Sequence, residues 1–364
     1  MQLKNRVRKL GDWMIDRALS FANFQQTLAL QINITDQCNL RCKHCYHPAR
    51  RDGFVLTVEQ WQAIIIKYRS LITTLHLAPD LIICGGEPFF RQDLRDILAA
   101  VRIVLPSAPI SLLSNGTMLT PEICDWLTPL NPFIQISIDG PDAARHDAVR
   151  GTGVFAKAQA SIDLLRRCGI TFSMQAILSR RSAPWIDEFF ALAKALGASL
   201  MSFSRLILEG QAKNLVASHL DDVLSPGELR DAYTTILAAS RETSVPTNTR
   251  LPLYCLIDPA LGGHGQLGFQ GIIVDHDGAM RPTSRTDYSI GNVLTQDMED
   301  LFLNHPLMKR FRDKNNFQVC GDCEHWPQCG GSRNAAFAQF GDYFAPDPGC
   351  WLAFPPSTKP LMTR

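Results

Sequence analysis

No apolar run in this sequence approaches the ~18 consecutive residues that a membrane span needs. The opening stretch mixes Lys4, Arg6, Arg8, Asp12, Asp16 and Arg17 into an amphipathic helical pattern, which a secretory signal does not have. Membrane and secretory roles are therefore not expected, and the chain reads as cytoplasmic. Charge of one sign is also missing: 36 Lys and Arg face 35 Asp and Glu, with no long run of either. A formal net charge of +1 offers little to a polyanion, so nucleic acid is not an expected partner. Low-complexity segments are absent, and so are repeats beyond an alternation of strands and helices. What is there is a 364-residue chain, 46% apolar, long enough for a large α/β unit and a smaller companion.

Short apolar runs at 28–35, 81–84, 110–114, 134–138, 172–177 and 200–203 read as strands, and helical patterns near 57–72, 92–104, 120–127, 154–168 and 184–196 separate them. Thr57 with Gln60, Thr120-Pro121 and Ala183-Pro184 stand where helix starts belong. This alternation predicts a parallel sheet with right-handed crossovers that curls into an open barrel, a partial (β/α)6 TIM-like fold. Past about residue 205 the rhythm stops. Leu224 to Glu228 opens one more helix, and a loop-rich unit follows, with Gly262 to Gly265, Asp277-Gly278 and Pro282. The expected division is an N-terminal helix over 1–26, the core over 27–210, a connecting helical region over 211–250, and a small C-terminal domain over 251–364 with a mobile tail.

The chain has eleven cysteines, and in a reducing compartment clustered thiols read as metal or redox sites. Cys38, Cys42 and Cys45 follow the first strand, at the carboxyl end of the sheet, where parallel α/β folds keep their active sites. One helix face burying three thiols suits the spacing, but Asn39, Arg41, Lys43 and His44 leave little apolar surface around them. Zinc with His44 or His47 as fourth ligand is a second reading. An iron–sulfur cluster is a third; three thiolates for four irons leave one iron open beside Arg41 and Lys43, a place to chelate an amino acid. Cys320, Cys323, Cys329 and Cys350 form another set, able on residue chemistry alone to hold either zinc or a cluster.

The C-x3-C-x2-C pattern with His44 before its last Cys resembles the cluster loop of radical S-adenosylmethionine enzymes. The resemblance continues through Gly85-Gly86-Glu87-Pro88, Ser114-Asn115-Gly116, Ser137-Ile138-Asp139-Gly140 and the His146-Asp147 to Gly153 stretch. Each of the first three is a weak signal, a turn or a cap by itself, but they stand in order at successive strand ends. The resemblance implies a [4Fe–4S] cluster on Cys38, Cys42 and Cys45. It also implies S-adenosylmethionine held by Gly85, Gly86, Glu87 and Pro88, with Ser114, Asn115, Ser137, Asp139 and His44 contributing contacts. The later cysteines are similar to the SPASM domain, whose members usually carry two auxiliary clusters.

Here the chain departs from that pattern. Thr283 stands where the family has a Cys after its DG…P turn, and Ser332 and Arg333 stand where another Cys follows Cys329-Gly330-Gly331. The expectation is one auxiliary [4Fe–4S] cluster, on Cys320, Cys323, Cys329 and Cys350, and a Cys255 left without partners. Cys255 is then either a relic or a hydrogen-atom donor to a substrate radical. Cys124, Cys168 and Cys84 read as packing residues; Tyr46 and His47 as loop filler or as contacts to adenine or the cluster.

If the resemblance holds, one electron from a reductase such as flavodoxin or ferredoxin splits S-adenosylmethionine to a 5′-deoxyadenosyl radical, which takes hydrogen from the substrate. The family mostly modifies ribosomal peptides or proteins, and a minority acts on sugars, cofactors or tetrapyrroles. A peptide is favoured, to be cross-linked, oxidised or epimerised. About 27 residues before the first strand are too few for a winged-helix leader-binding module, and sulfatase-type maturation is disfavoured because Ser284 stands where that group has its general-base Asp. A small-molecule substrate and a non-catalytic iron–sulfur electron carrier are the alternatives.

Overall fold

The computed structural model describes residues 27–47, 53–214, 222–263 and 271–355. The N-terminal helix expected over 1–26, the tail beyond 355 and His264-Gly265 lie outside them.

Six parallel strands form the core: β1 (Thr27–Asn33), β2 (Ala78–Cys84), β3 (Ile110–Ser114), β4 (Phe133–Ser137), β5 (Phe172–Leu178) and β6 (Met201–Arg205). Helices cross between them: α1 (Val58–Leu75), α2 (Leu94–Val104), α3 (Pro121–Leu127), α4 (Ala143–Arg150), α5 (Val154–Arg167) and α6 (Ile186–Leu196). The sheet runs in sequence order and stays open at β6 among the described residues, which makes it the partial barrel expected. Helix α4 is an addition: its polar sequence carries little apolar periodicity, and Asp142 caps it by accepting the Arg145 N–H.

Strand period two sorts the barrel. On β1, Leu28, Leu30 and Ile32 are fully buried toward the helices, and Gln31 faces the interior. On β4, Ile134 and Ile136 are buried outward, and Gln135 and Ser137 face inward. Helix α1 supplies the matching layer with Trp61, Ile64, Ile65, Tyr68, Leu71 and Ile72, spaced to share one face. A reciprocal capping box between Thr57 and Gln60 starts it, as expected, and Thr120 caps α3 in the same role. A short 3₁₀ turn over Ala183–Trp185 leads into α6.

Helix α7 (Pro226–Thr243) begins at a Ser225–Glu228 capping box and packs against α6. The sheet then continues where the sequence read as loop. Strand β7 (Gly271–Val274) lies parallel to β1 on the side away from β2, and β8 (Ala279–Arg281) and β9 (Gly291–Asn292) follow it antiparallel. A four-residue strand has too few residues to show a period, so its place depends on the β1 edge that β2 leaves free. In the C-terminal part Phe311, Phe317, Tyr343 and Phe344 form an aromatic cluster.

Candidate active site

The carboxyl ends of β1 to β6 open into a cavity of about 290 Å³, lined by Cys38, Cys42 and Cys45 on one side and by inward-facing polar residues of the strands on the other. All three thiols are half-buried and free of disulfides. The Leu40 N–H donates to Cys38 Sγ at 3.3 Å, with Asn115 Nδ2 at 3.7 Å, and Arg150 Nη1 lies 3.9 Å from Cys42 Sγ. Burial pushes the Cys42 thiol up to about 11, so a bound metal would have to displace its proton, released to solvent, for the thiolate to form. Arg41 turns to the Cys38 and Leu40 carbonyls, at 2.7 and 2.9 Å. Arg150 is the cation that sits beside the thiols.

The glycines of the GGEP turn are required by close backbone approach. A Cβ on Gly85, whose φ is +134°, would meet the Thr35 carbonyl at 2.2 Å, and one on Gly86 the Gln37 carbonyl at 2.0 Å. The Gly86 and Glu87 N–H groups donate to those same carbonyls at 2.7 and 2.8 Å, which fastens this turn to the cysteine loop.

The expected cofactor-contact residues divide into two groups. Gly85, Gly86, Ser114, Asn115, Ser137 and His44 line the cavity. Glu87, Pro88 and Asp139 stand behind it. Glu87 is fully buried and accepts from Ser114 Oγ at 2.8 Å, the Asn115 N–H at 2.7 Å and the Phe89 N–H at 3.2 Å. Burial pushes its carboxyl up to about 7 against those bonds. Asp139 joins Arg150 Nε at 2.5 Å, His44 Nε2 at 3.1 Å and the Ile177 N–H at 2.7 Å. Burial works to raise it, but Arg150 and His44 win and hold it well below the usual carboxylate range. Both acids position their neighbours and do not present a carboxylate to the cavity.

At the second cysteine set, Cys320, Cys323, Cys329 and Cys350 are half-buried and free. Cys255 is not without partners: it is 1% exposed, hydrogen-bonds Cys329 and lies within electrostatic range of Cys323 and Cys350. It lines neither the reaction cavity nor the second one. The turn that begins at Tyr254, stacked on Tyr233 of α7 with ring centroids 4.2 Å apart, brings it there. The residues at the two positions expected to differ from the family pattern make other contacts. Thr283 bonds Asn334, and Arg333 donates to the Tyr343 and Ala345 carbonyls at 2.9 and 2.8 Å and approaches Cys320 Sγ at 3.8 Å.

Among the described residues no three of His, Cys, Asp or Glu converge as a single ion demands. Free thiols are the donors that iron–sulfur clusters take, so the chemistry of both cysteine sets is compatible with a cluster. Cys124 is fully buried against Cys168, a packing pair as expected, and Cys84 lines the cavity with its thiol 2.9 Å from Asn33 Oδ1. Residues on the cavity wall that the motifs did not single out include Gln31, Gln135, Gln175 and Arg285. Of these, only the glutamines left a signal, as polar residues alternating with apolar ones in predicted strands.

No helix among the described residues is long and apolar enough to cross a membrane. Residues 32–180 match the radical SAM superfamily, and residues 266–324 match a SPASM iron–sulfur cluster-binding domain. Similar proteins include an AdoMet-dependent heme synthase of Nitratidesulfovibrio vulgaris, 28% identical over 346 residues, covering 87% of this chain and 90% of that protein. Another is the mycofactocin maturase MftC of Mycobacterium tuberculosis, 27% identical over 344 residues, covering 89% and 82%. Among solved structures, anSMEcpe with bound AdoMet superposes with a TM-score of 0.71 at 18% identity, covering 89% of this chain and 94% of that one. SuiB of Streptococcus suis bound to its precursor peptide SuiA gives 0.70 at 15% identity, covering 94% and 79%. With both domains matched in order and the fold shared, the chain belongs to the radical SAM superfamily of enzymes and is of the SPASM type.

Proposed function

We propose that this enzyme cleaves S-adenosylmethionine reductively and uses the product to abstract hydrogen from a peptide or protein substrate. The observation that carries this is the shared cavity: three free thiols, the glycine turn locked to their loop, and the Asn115, Ser137 and His44 side chains all open onto one space. When bound, a cluster with an open iron supplies the electron and the docking point for the sulfonium nucleotide. Cys38, Cys42 and Cys45 hold it. Asn115 and Arg150 donate toward the thiolates, which favours their charged form. Asp139 fixes Arg150 and His44, and Glu87 fixes the β3 turn that presents Ser114 and Asn115. The barrel wall excludes water from the reacting groups.

Cys320, Cys323, Cys329 and Cys350 hold a single auxiliary cluster, with Cys255 as a neighbouring thiol. A hydrogen-donor role for Cys255 would require it to reach the cavity, so in this proposal it packs against the auxiliary site instead. The peptide assignment follows the maturases among the relatives. The heme synthases, at comparable identity and coverage, support a second reading in which the substrate is a tetrapyrrole.

The test is anaerobic reconstitution followed by strong reductant and S-adenosylmethionine. Formation of 5′-deoxyadenosine, with iron and sulfide near about eight each, four per cubane cluster, is the expected outcome. Zinc alone, or no cleavage, would overturn the proposal, and iron near about twelve would refute the single auxiliary cluster.

A further inference from the structure

Among the described residues, the reaction cavity contains one arginine that no carboxylate of the protein neutralises. Arg150 is paired with Asp139 at 2.5 Å, and Arg205 is held by Asp347 through both of its terminal nitrogens at 2.9 and 2.8 Å. Arg285 has no carboxylate partner among the described residues. Its one hydrogen bond is from Nη1 to the Arg205 carbonyl at 3.3 Å, which leaves most of the five guanidinium donors unused. Burial works against its charge, and so does Arg205. Keeping a desolvated, unpaired guanidinium costs stability, and a cost of that kind falls at sites that receive an opposite charge from outside.

Its position shows where that charge would arrive. Arg285 and Ser284 line both the reaction cavity and a second cavity of about 250 Å³, which is bounded further in by Ser332 and Arg333. Among the described residues no Asp or Glu lines either cavity. The second cavity touches Arg333, one of the positions where the related domain would have a cysteine, so the departure from the SPASM pattern coincides with open, cationic space continuous with the active site. The Tyr46 phenol, in electrostatic range of Arg285, faces the same cavity, and among the described residues no bond of its hydroxyl competes for it.

We propose that Arg285 anchors a carboxylate of the substrate at the junction of the two cavities, with the Tyr46 hydroxyl as a second donor. A carboxylate accepts a guanidinium fork through both oxygens, and a neutral substrate leaves that fork unpaired. The substrate is therefore an acid, whether the group is a peptide's C-terminal carboxylate or a propionate on a tetrapyrrole. This deepens the function proposed above and rests on it.

The test measures binding to the reconstituted, S-adenosylmethionine-loaded full chain with two probe pairs: an N-acetylated dipeptide against its C-terminal amide, and protoporphyrin IX against its dimethyl ester. The expected result is that one free acid binds tighter than its neutral counterpart by on the order of tenfold to a hundredfold, the range of a charge-assisted hydrogen bond. Whichever pair shows the difference identifies the source of the carboxylate. Arg285→Gln should erase the preference, and Arg285→Lys, which keeps the charge but not the fork, should retain part of it. Circular dichroism and iron content check that both variants fold. No preference in either pair, a preference that survives Arg285→Gln, or a loss confined to S-adenosylmethionine binding would overturn the proposal. Failure of the wild-type protein to cleave S-adenosylmethionine counts instead against the function proposed above.

Discussion

Arg205, the last residue of β6, grips Asp347 of the C-terminal domain through two parallel bonds of 2.9 and 2.8 Å. The same carboxylate accepts the Ser332 N–H at 2.7 Å and the Gly349 N–H at 2.9 Å, so one buried acid ties the barrel's open edge to the loops flanking Cys329 and Cys350. Asp347 is fully buried, and removing one partner strands the other's charge. Asp347→Asn should lower stability by about 3 to 5 kcal/mol, measured by chemical denaturation. It should also lower iron from about eight toward about four per chain, because the auxiliary thiols lose their frame. Unchanged iron would show that the auxiliary loops hold without this tie.

At Gly86 the GGEP turn lies directly against the chain leading into the cysteine loop, and any side chain there drives into the Gln37 carbonyl. Gly86→Ala should displace the first cluster's loop and leave the auxiliary site intact. Iron falls by about four per chain and cleavage of S-adenosylmethionine is lost, both read on anaerobic protein. Full iron with normal cleavage would mean that the two loops yield to each other without consequence.

Glu87 and His146 give opposing responses to pH. Burial raises Glu87 from 4.5 to about 7, so across that window the folded chain holds the extra proton and stability falls as pH rises. Burial, helped by Arg150, lowers His146 from 6.5 to about 4. There the unfolded chain holds the extra proton, and stability rises with pH. Each swing amounts to about 3 kcal/mol, and the windows overlap, so the two largely offset each other in the wild type. Glu87→Gln should expose a stability that climbs with pH between about 4.5 and 6.5, and His146→Asn, which still offers an acceptor to the Asp139 N–H, one that declines. Denaturant titrations of the metal-free chain at several pH values read the slopes. If both variants keep the wild-type slope, neither group titrates as its burial implies.

The six core strands were legible because each alternates or clusters apolar residues over enough length to show a period, as in the 28–35 run. The loop motifs were legible because their glycines answer a backbone constraint that side chains cannot meet, as at Gly85 and Gly86. Strand β7 was hidden: its place is set by a free edge of β1 and not by its own residues. Arg285 was hidden for a related reason. An arginine in a loop reads as solvated until packing removes its counter-ions, and the missing carboxylate partner exists only in three dimensions. Glu87 and Asp139 were legible as motif members, but their orientation toward Ser114 and Arg150 was not, since a motif names residues without saying which way they turn.

Cys255 separates two accounts of the auxiliary site. It is buried against Cys329 and close to Cys323 and Cys350, so a further thiol stands among the cysteines expected to supply a cubane's four ligands. If Cys320, Cys323, Cys329 and Cys350 are the ligands, Cys255→Ala removes a packing thiol and leaves iron near about eight per chain, with the thermal midpoint only slightly lower. Cys350→Ala should lower iron toward about four, or leave a cluster whose electron paramagnetic resonance signal is altered because Cys255 has moved in as substitute ligand. The double variant decides between these two: iron near about four in Cys255→Ala/Cys350→Ala, against a cluster retained in Cys350→Ala alone, would make Cys255 a reserve ligand. Loss of iron in Cys255→Ala itself would make it a primary ligand and displace one of the four assigned here.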